Sequence, residues 1–137
     1  MMFPTSFSDI QEKIASIDPI AYGKTRNFID GAVTKLSPYI SRGVISTKQI
    51  FQNVLERGYD PYHIEKFIQE LAWRDYWQQA WVDLGSDINK DVRRDQPNVK
   101  NIQMPKAVLN ANTGIHDIDL SIEEFYETGY LHNHIRM

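Results

Sequence analysis

Cysteine is absent from the sequence, which excludes disulfides and thiolate metal sites and weakly favours the cytoplasm. No apolar run approaches the roughly 20 residues that span a bilayer. The first residues lack the basic-then-apolar pattern of a secretion signal, so the expectation is a soluble, cytoplasmic protein. Positive charge is not in excess either. With a formal net charge of −3 and a pI of 5.8, no global basic field advertises a nucleic-acid partner, which leaves room only for a local patch. Convincing strand alternation, internal repeats and low-complexity tracts are missing too. What remains is a chain of 137 residues, 42% hydrophobic and 24% charged, which is globular composition with enough apolar material for one domain and one core.

Helical periodicity punctuated by proline and glycine fills most of the chain, and the expected fold class is all-α. After an unstructured lead, Ser6 or Ser8 is placed to cap a short helix carrying Ile10, Ile14 and Ile17 and ending before Pro19. A second helix is expected to hold Tyr22, Arg26, Phe28 and Ile29 and to stop near Asp30-Gly31. In Ser37-Pro38 the serine reads as an N-cap with proline at N1, and Gly43 suits the C′ position. Ser46-Thr47-Lys48-Gln49 is a capping box opening a helix through Ile50, Phe51, Val54 and Leu55 to Gly58. Asp60-Pro61 repeats the cap-then-proline signature and opens the longest helical pattern, to about Leu84-Gly85. From residue 86 to 112 the pattern weakens. Mixed charges over 90–95 suit a solvated helix end, 96–98 a loop and 105–110 a short helix. Beyond Thr113-Gly114 a helix sets Ile118, Ile122 and Phe125 on one face, and Gly129 breaks it. Another helix starts around His132 and stops at Met137 without a cap, the pattern expected of a truncation.

In the long pattern, Glu70, Trp73, Arg74, Trp77 and Trp81 gather on one side at about 100° per residue. Ile64, Phe67, Ile68 and Leu71 form an adjoining arc. A surface helix has one apolar stripe, whereas this one is occupied on two sides, as expected of a helix that packs a core and lines a site. Arginine beside aromatic rings suits recognition of anions or planar groups. The plainer reading is a Glu70–Arg74 ion pair at i,i+4 over core tryptophans. A second cluster is Thr34, Leu36 and Ser37 at a helix start, where hydroxyls and unpaired backbone N–H groups make a phosphate seat. Simple capping is its plainer reading. His132 and His134, two residues apart, fall on nearly opposite helix sides and make a poor metal pair. His116 with Asp117 and Asp119 suits a helix start. No Ser-His-Asp ordering, glycine-rich phosphate loop or paired-carboxylate spacing stands out.

Three blocks taken together resemble the helical FAD-binding domain of the photolyase/cryptochrome family. They are Tyr22…Arg26-Asn27-Phe28 with Thr34 through Ser46, then Gln69-Glu70-Leu71-Ala72-Trp73-Arg74-Asp75-Tyr76, then Thr113-Gly114 and Thr128 through Met137. The family's order and approximate spacing are kept over roughly residues 21–82 and 113–137. The sequence departs from the family's pattern at several places. Tyr130 replaces a tryptophan, His134 an arginine, and Ile115-His116 an aromatic-proline pair, while Val108 and Ala111 stand where the family commonly has tryptophan and glycine.

The resemblance implies a multi-helical orthogonal bundle, with 1–20 a lead and short helix and 21–137 part of an FAD-binding domain. Tyr22, Thr34, Leu36 and Ser37 match positions that hold the flavin's phosphate and ribityl parts, and Arg74 matches an arginine near the pyrophosphate. Glu70 and Trp73 match residues that face a flipped pyrimidine dimer. Asn133 matches the residue at the flavin N5 and is the catalytic candidate, and Arg136 matches an arginine beside the isoalloxazine. For a complete protein the implied activity is a deoxyribodipyrimidine lyase: light-driven electron transfer from reduced FAD to a pyrimidine dimer in damaged DNA. One alternative is a cryptochrome-type flavin photosensor without repair. Another is a flavin-free helical interaction domain. An α/β antenna domain and the second half of the helical domain are expected to be missing. The chain alone is therefore expected to be inactive and to bind FAD weakly or not at all, unless the missing half or a second copy completes the site. No membrane partner is expected.

Overall fold

A computed structural model of the chain describes residues 3–90, 94, 97, 100–132 and 135. Among these, all regular structure is helical: α1 Phe7–Ala15, α2 Pro19–Thr25, α3 Ser37–Ser41, α4 Thr47–Glu56, α5 Pro61–Leu84, α6 Lys106–Leu109 and α7 His116–Thr128, with a 3-10 turn at Gly85–Asn89. The all-α expectation holds. Two units form, Met1–Tyr76 and Trp77–Met137, with α5 running from the first into the second.

In the first unit, local chemistry sets each helix start. Ser6 stands at the N-cap of α1, but its hydroxyl pairs with that of Ser8 at 2.6 Å and makes no capping bond. The Asp18 carboxylate accepts from the amides of Ile20 and Ala21 at 3.0 and 2.8 Å, which starts α2 at Pro19. That helix ends sooner than its apolar spacing suggests. The Thr25 hydroxyl accepts from the Ala32 amide at 2.9 Å, and the chain coils back so closely that a Cβ on Gly31 would lie 1.9 Å from the Thr25 carbonyl oxygen. Phe28 and Ile29 are thus not helical, and both are exposed.

α3 also departs from expectation by one residue. Leu36 occupies the N-cap, Ser37 is the first helical residue and Pro38 the second, and no side chain caps the helix. The turn is made earlier: Lys35 takes a left-handed φ of 53°, and Leu36 is already in the helical region with φ −91° and ψ −9°. At the other end, Gly43 has φ 71°, its amide reaches the Ile40 carbonyl at 3.1 Å, and the Val44 amide reaches that of Tyr39 at 2.9 Å. This is a Schellman closure, as the glycine foretold. The capping box of α4 is complete, with Ser46 Oγ accepting from the Gln49 amide at 3.1 Å and Gln49 Oε1 from the Ser46 amide at 2.7 Å. Asp60 accepts from the Tyr62 amide at 2.9 Å and begins α5.

The apolar faces so created converge. Ile10, Ile14, Ile17, Leu36, Tyr39, Ile45, Ile50, Val54, Ile64 and Phe67 form the core, with α1 packed on α4. Arg57 at the end of α4 donates to the Ile17 carbonyl at 2.7 Å and ties in the α1–α2 link. Tyr39 donates its hydroxyl to the Pro4 carbonyl at 2.8 Å, and burial pushes its phenol pKa up.

α5 changes its apolar side halfway along. Ile64 and Phe67 are buried, with Ile68 and Leu71 against the same core. From residue 73 onward the large aromatic side chains lie on roughly the opposite side, where Trp73, Tyr76, Trp77 and Trp81 are each more than half exposed. The tryptophans are therefore not core residues, which corrects the plainer reading of that face.

In the second unit, α6 packs on α7, and the Tyr126 hydroxyl donates to the Leu109 carbonyl at 2.7 Å. Ile122, Tyr130 and His132 are its buried side chains among the described residues. Phe125 remains 42% exposed although it shares a face with Ile122. Gly129, at φ 70°, ends α7 as expected. The charge run over 90–95 and the helix expected from His132 lie mostly outside the described residues.

Candidate functional site

The sequence-derived site residues that the structure describes all belong to the first unit, on α2, α5 and the segment around α3. Tyr22 is half-buried on α2, with its ring edge-on to Phe67 of α5 at 5.2 Å. α2 lies against α5 at Gly23, where a Cβ would make an ordinary 3.5 Å contact with Lys66 Cβ. Arg26, one helical turn from Tyr22, sets its Nε 3.5 Å from Glu70 Oε1, and Lys66 Nζ approaches the same oxygen at 3.6 Å. Glu70 is thus held by two cations, one of them from another helix. Sequence reasoning quoted Arg26 without giving it a role. The four-residue spacing from Tyr22 was the available signal, because it puts the two side chains on one side of a helix.

Thr34, Leu36 and Ser37 separate into different jobs. Leu36 is only 1% exposed and belongs to the core. Thr34 is half-buried, and its Oγ1 accepts from the Leu36 amide at 3.3 Å. Ser37 is half-buried, and its carbonyl accepts from the Ser41 hydroxyl. Lys35 is left-handed and Leu36 right-handed, and the Leu36 amide at this turn is buried and taken by the Thr34 hydroxyl.

Arg74 is half-buried, and its Nη2 donates to Ser41 Oγ at 3.4 Å. That bond brings the guanidinium from α5 onto the flank of α3, within the same hydrogen-bonded chain as the Ser37 carbonyl. Trp73 is 53% exposed and stands edge-on to Tyr76 at 5.5 Å, which leaves an indole face for stacking. Asn133 and Arg136 lie outside the described residues.

The arrangement offers a cation at Ser41 on α3, and on α5 a carboxylate paired with two cations one turn from an exposed indole. Tested against FAD, this segment fits a phosphate group: Arg74 gives fork-shaped donors, and the half-buried Thr34 and Ser37 carry hydroxyls. No group of three or more histidine, aspartate or glutamate side chains suited to a metal ion occurs among the described residues. No helix among them is long and apolar enough to cross a membrane.

The chain is 31% identical over 120 residues to the mitochondrial deoxyribodipyrimidine photo-lyase of Saccharomyces cerevisiae, covering 78% of this chain and 21% of that protein. It is 26% identical over 119 residues to the deoxyribodipyrimidine photo-lyase of Alkalihalophilus pseudofirmus, covering 76% of this chain and 22% of that protein. The chain thus spans about a fifth of the length of these curated relatives. No family model matches it, and no solved structure does. Two photolyases aligned along most of an all-helical chain establish that it is related to the photolyase family.

Proposed function

We propose that this chain carries the diphosphate-holding and base-facing part of a photolyase-type flavin site, within an FAD-binding domain over 21–137. The observation that carries the reading is the half-buried Arg74 guanidinium drawn onto α3 at Ser41. A half-buried guanidinium offers fork-shaped donors suited to a phosphate group. Arg74, Thr34 and Ser37 are the groups assigned to that end, with Leu36 and Tyr22 assigned to it by resemblance alone. Asn133 and Arg136 are assigned to the flavin ring by resemblance alone. Bound FAD, when reduced, would supply a light-absorbing electron donor.

The base-facing role falls to Trp73 and Glu70. Trp73 offers an exposed ring for stacking against an extruded pyrimidine, a contact worth about 1–3 kcal/mol per base. Glu70, neutralised by Arg26 and Lys66, keeps oxygens that accept hydrogen bonds from a base edge without presenting a bare negative charge to DNA. Repair of pyrimidine dimers in DNA by the complete protein, in the cytoplasm, is the activity this assignment leads to. Titration of the chain with FAD, followed by flavin fluorescence, tests it. Weak saturable binding is expected, lowered about tenfold by Arg74→Ala, which corresponds to roughly 1.4 kcal/mol. Binding that Arg74→Ala leaves unchanged would remove the assignment.

A further inference from the structure

We propose that Asp75, acting through Thr47, is a positioning residue that holds Arg74 against α3. Arg74 and Asp75 are neighbours on α5 and leave it about 100° apart. Arg74 Nη2 reaches Ser41, the last residue of α3, while Asp75 Oδ1 accepts from the hydroxyl of Thr47, the first residue of α4, at 2.8 Å. Ser41 and Thr47 bracket one turn, which contains the left-handed Gly43 and is pinned from inside by the buried Ile45. Two successive residues of α5 therefore grip both ends of the α3–α4 connection.

The Thr47 end suits an acidic partner. Asp75 meets α4 at its N-terminus, where the helix dipole favours negative charge. The Arg74–Ser41 contact is the longer of the two, at 3.4 Å to a hydroxyl that itself donates to the Ser37 carbonyl. With the Asp75–Thr47 bond in place, rotation or sliding of α5 past the turn is restrained, and the guanidinium stays over α3. Without it, α5 loses its hold on the α4 end of the turn, and the guanidinium is held less firmly over α3. The role of this register in ligand binding rests on the diphosphate reading above, whereas the positioning of Arg74 does not.

Asp75→Ala and Thr47→Val in the full chain, with Thr47→Ser as the conservative control, test this. The Arg74 side-chain Nε–H signal is followed by NMR, and ADP and riboflavin are titrated separately. In both disruptive variants the Arg74 signal is expected to shift and to exchange with solvent several-fold faster. ADP binding is expected to weaken about threefold to tenfold and riboflavin binding to stay unchanged, with Thr47→Ser keeping wild-type behaviour. The double variant is expected to lose no more than either single one, since both break the same bond. An unchanged Arg74 signal in Asp75→Ala overturns the proposal, and so does an equal loss of ADP and riboflavin binding, which marks general loosening. If the wild type binds no ADP while the Arg74 signal still responds to Asp75→Ala, the positioning role stands and the diphosphate reading falls.

Discussion

The units Met1–Tyr76 and Trp77–Met137 share a helix and differ in what stabilises them. The first encloses a set of apolar side chains drawn from α1, α3, α4 and the start of α5. The second buries Ile122, Tyr130 and His132 among its described residues and relies on local polar closures around α7. One is held by packing between distant parts of the chain. The other is held mostly by residues close in sequence. The candidate site follows the same division, since its described members belong to the packed unit, where side chains can be fixed well enough to bind.

The largest effects expected from this contrast come from the core. Ile64 is fully buried, and Ile64→Ala should cost about 2–5 kcal/mol. Ile122→Ala should cost clearly less, because Ile122 is 8% exposed and has a thinner apolar surround. Chemical denaturation of both variants measures the difference, and equal losses would break the comparison.

Next in size is an acid response of the second unit. Asp119 accepts from the Thr113 hydroxyl at 2.6 Å and from the amides of Thr113 and Gly114 at 2.8 and 3.2 Å. The Thr113 hydroxyl bond, then the amide bonds, hold its carboxyl below the ordinary carboxylate range. Because the folded pKa is lowered, the stabilisation is fully present above the unfolded value, about 3.9, and is lost as pH falls through the folded pKa. The Thr113 and Gly114 amides should therefore lose hydrogen-exchange protection below about pH 4 in the wild type. In Asp119→Asn they should be less protected at neutral pH and nearly insensitive to acid. The core amides of α4 should not follow this pattern.

Two smaller effects separate site from scaffold. Removing Arg26 by Arg26→Ala should cost about 1 kcal/mol or less, because the Glu70 ion pair is partly solvated. Ala111 sits at φ 49°, a conformation that costs an L-residue about 1–2 kcal/mol. Ala111→Gly should thus raise stability, by about 0.5 kcal/mol once the extra freedom of an unfolded glycine is set against the relief. A thermal shift downward on that change would show that the turn needs its Cβ.

The legible parts of the sequence were those set by one residue or one short pattern. Ser46–Gln49, Asp60-Pro61, Gly43 and Gly129 each fix a helix end through a local bond or a left-handed glycine, and each did so in the structure. The unreadable parts depend on distant partners. The early end of α2 is enforced by Thr25 reaching Ala32 and by the tight approach at Gly31, which apolar spacing at Phe28 and Ile29 does not reveal. The start of α3 moved because Lys35 takes a left-handed φ without being glycine. On α5, periodicity placed Glu70 and Arg74 on one face, but the pairing of Glu70 with Arg26 and of Arg74 with Ser41 comes from other helices. The exposed tryptophans show the same limit, since periodicity assigns a face and not what covers it.

The central claim is that the Arg74 and α3 region is built for a diphosphate. Its most direct test is a titration of the full chain with ADP, followed by backbone and arginine side-chain NMR. The account predicts weak, saturable shifts at the amides of Thr34 to Ser41 and at the Arg74 guanidinium, with α7 unaffected. Saturable shifts centred elsewhere, or none near Arg74 at millimolar ADP, would contradict it.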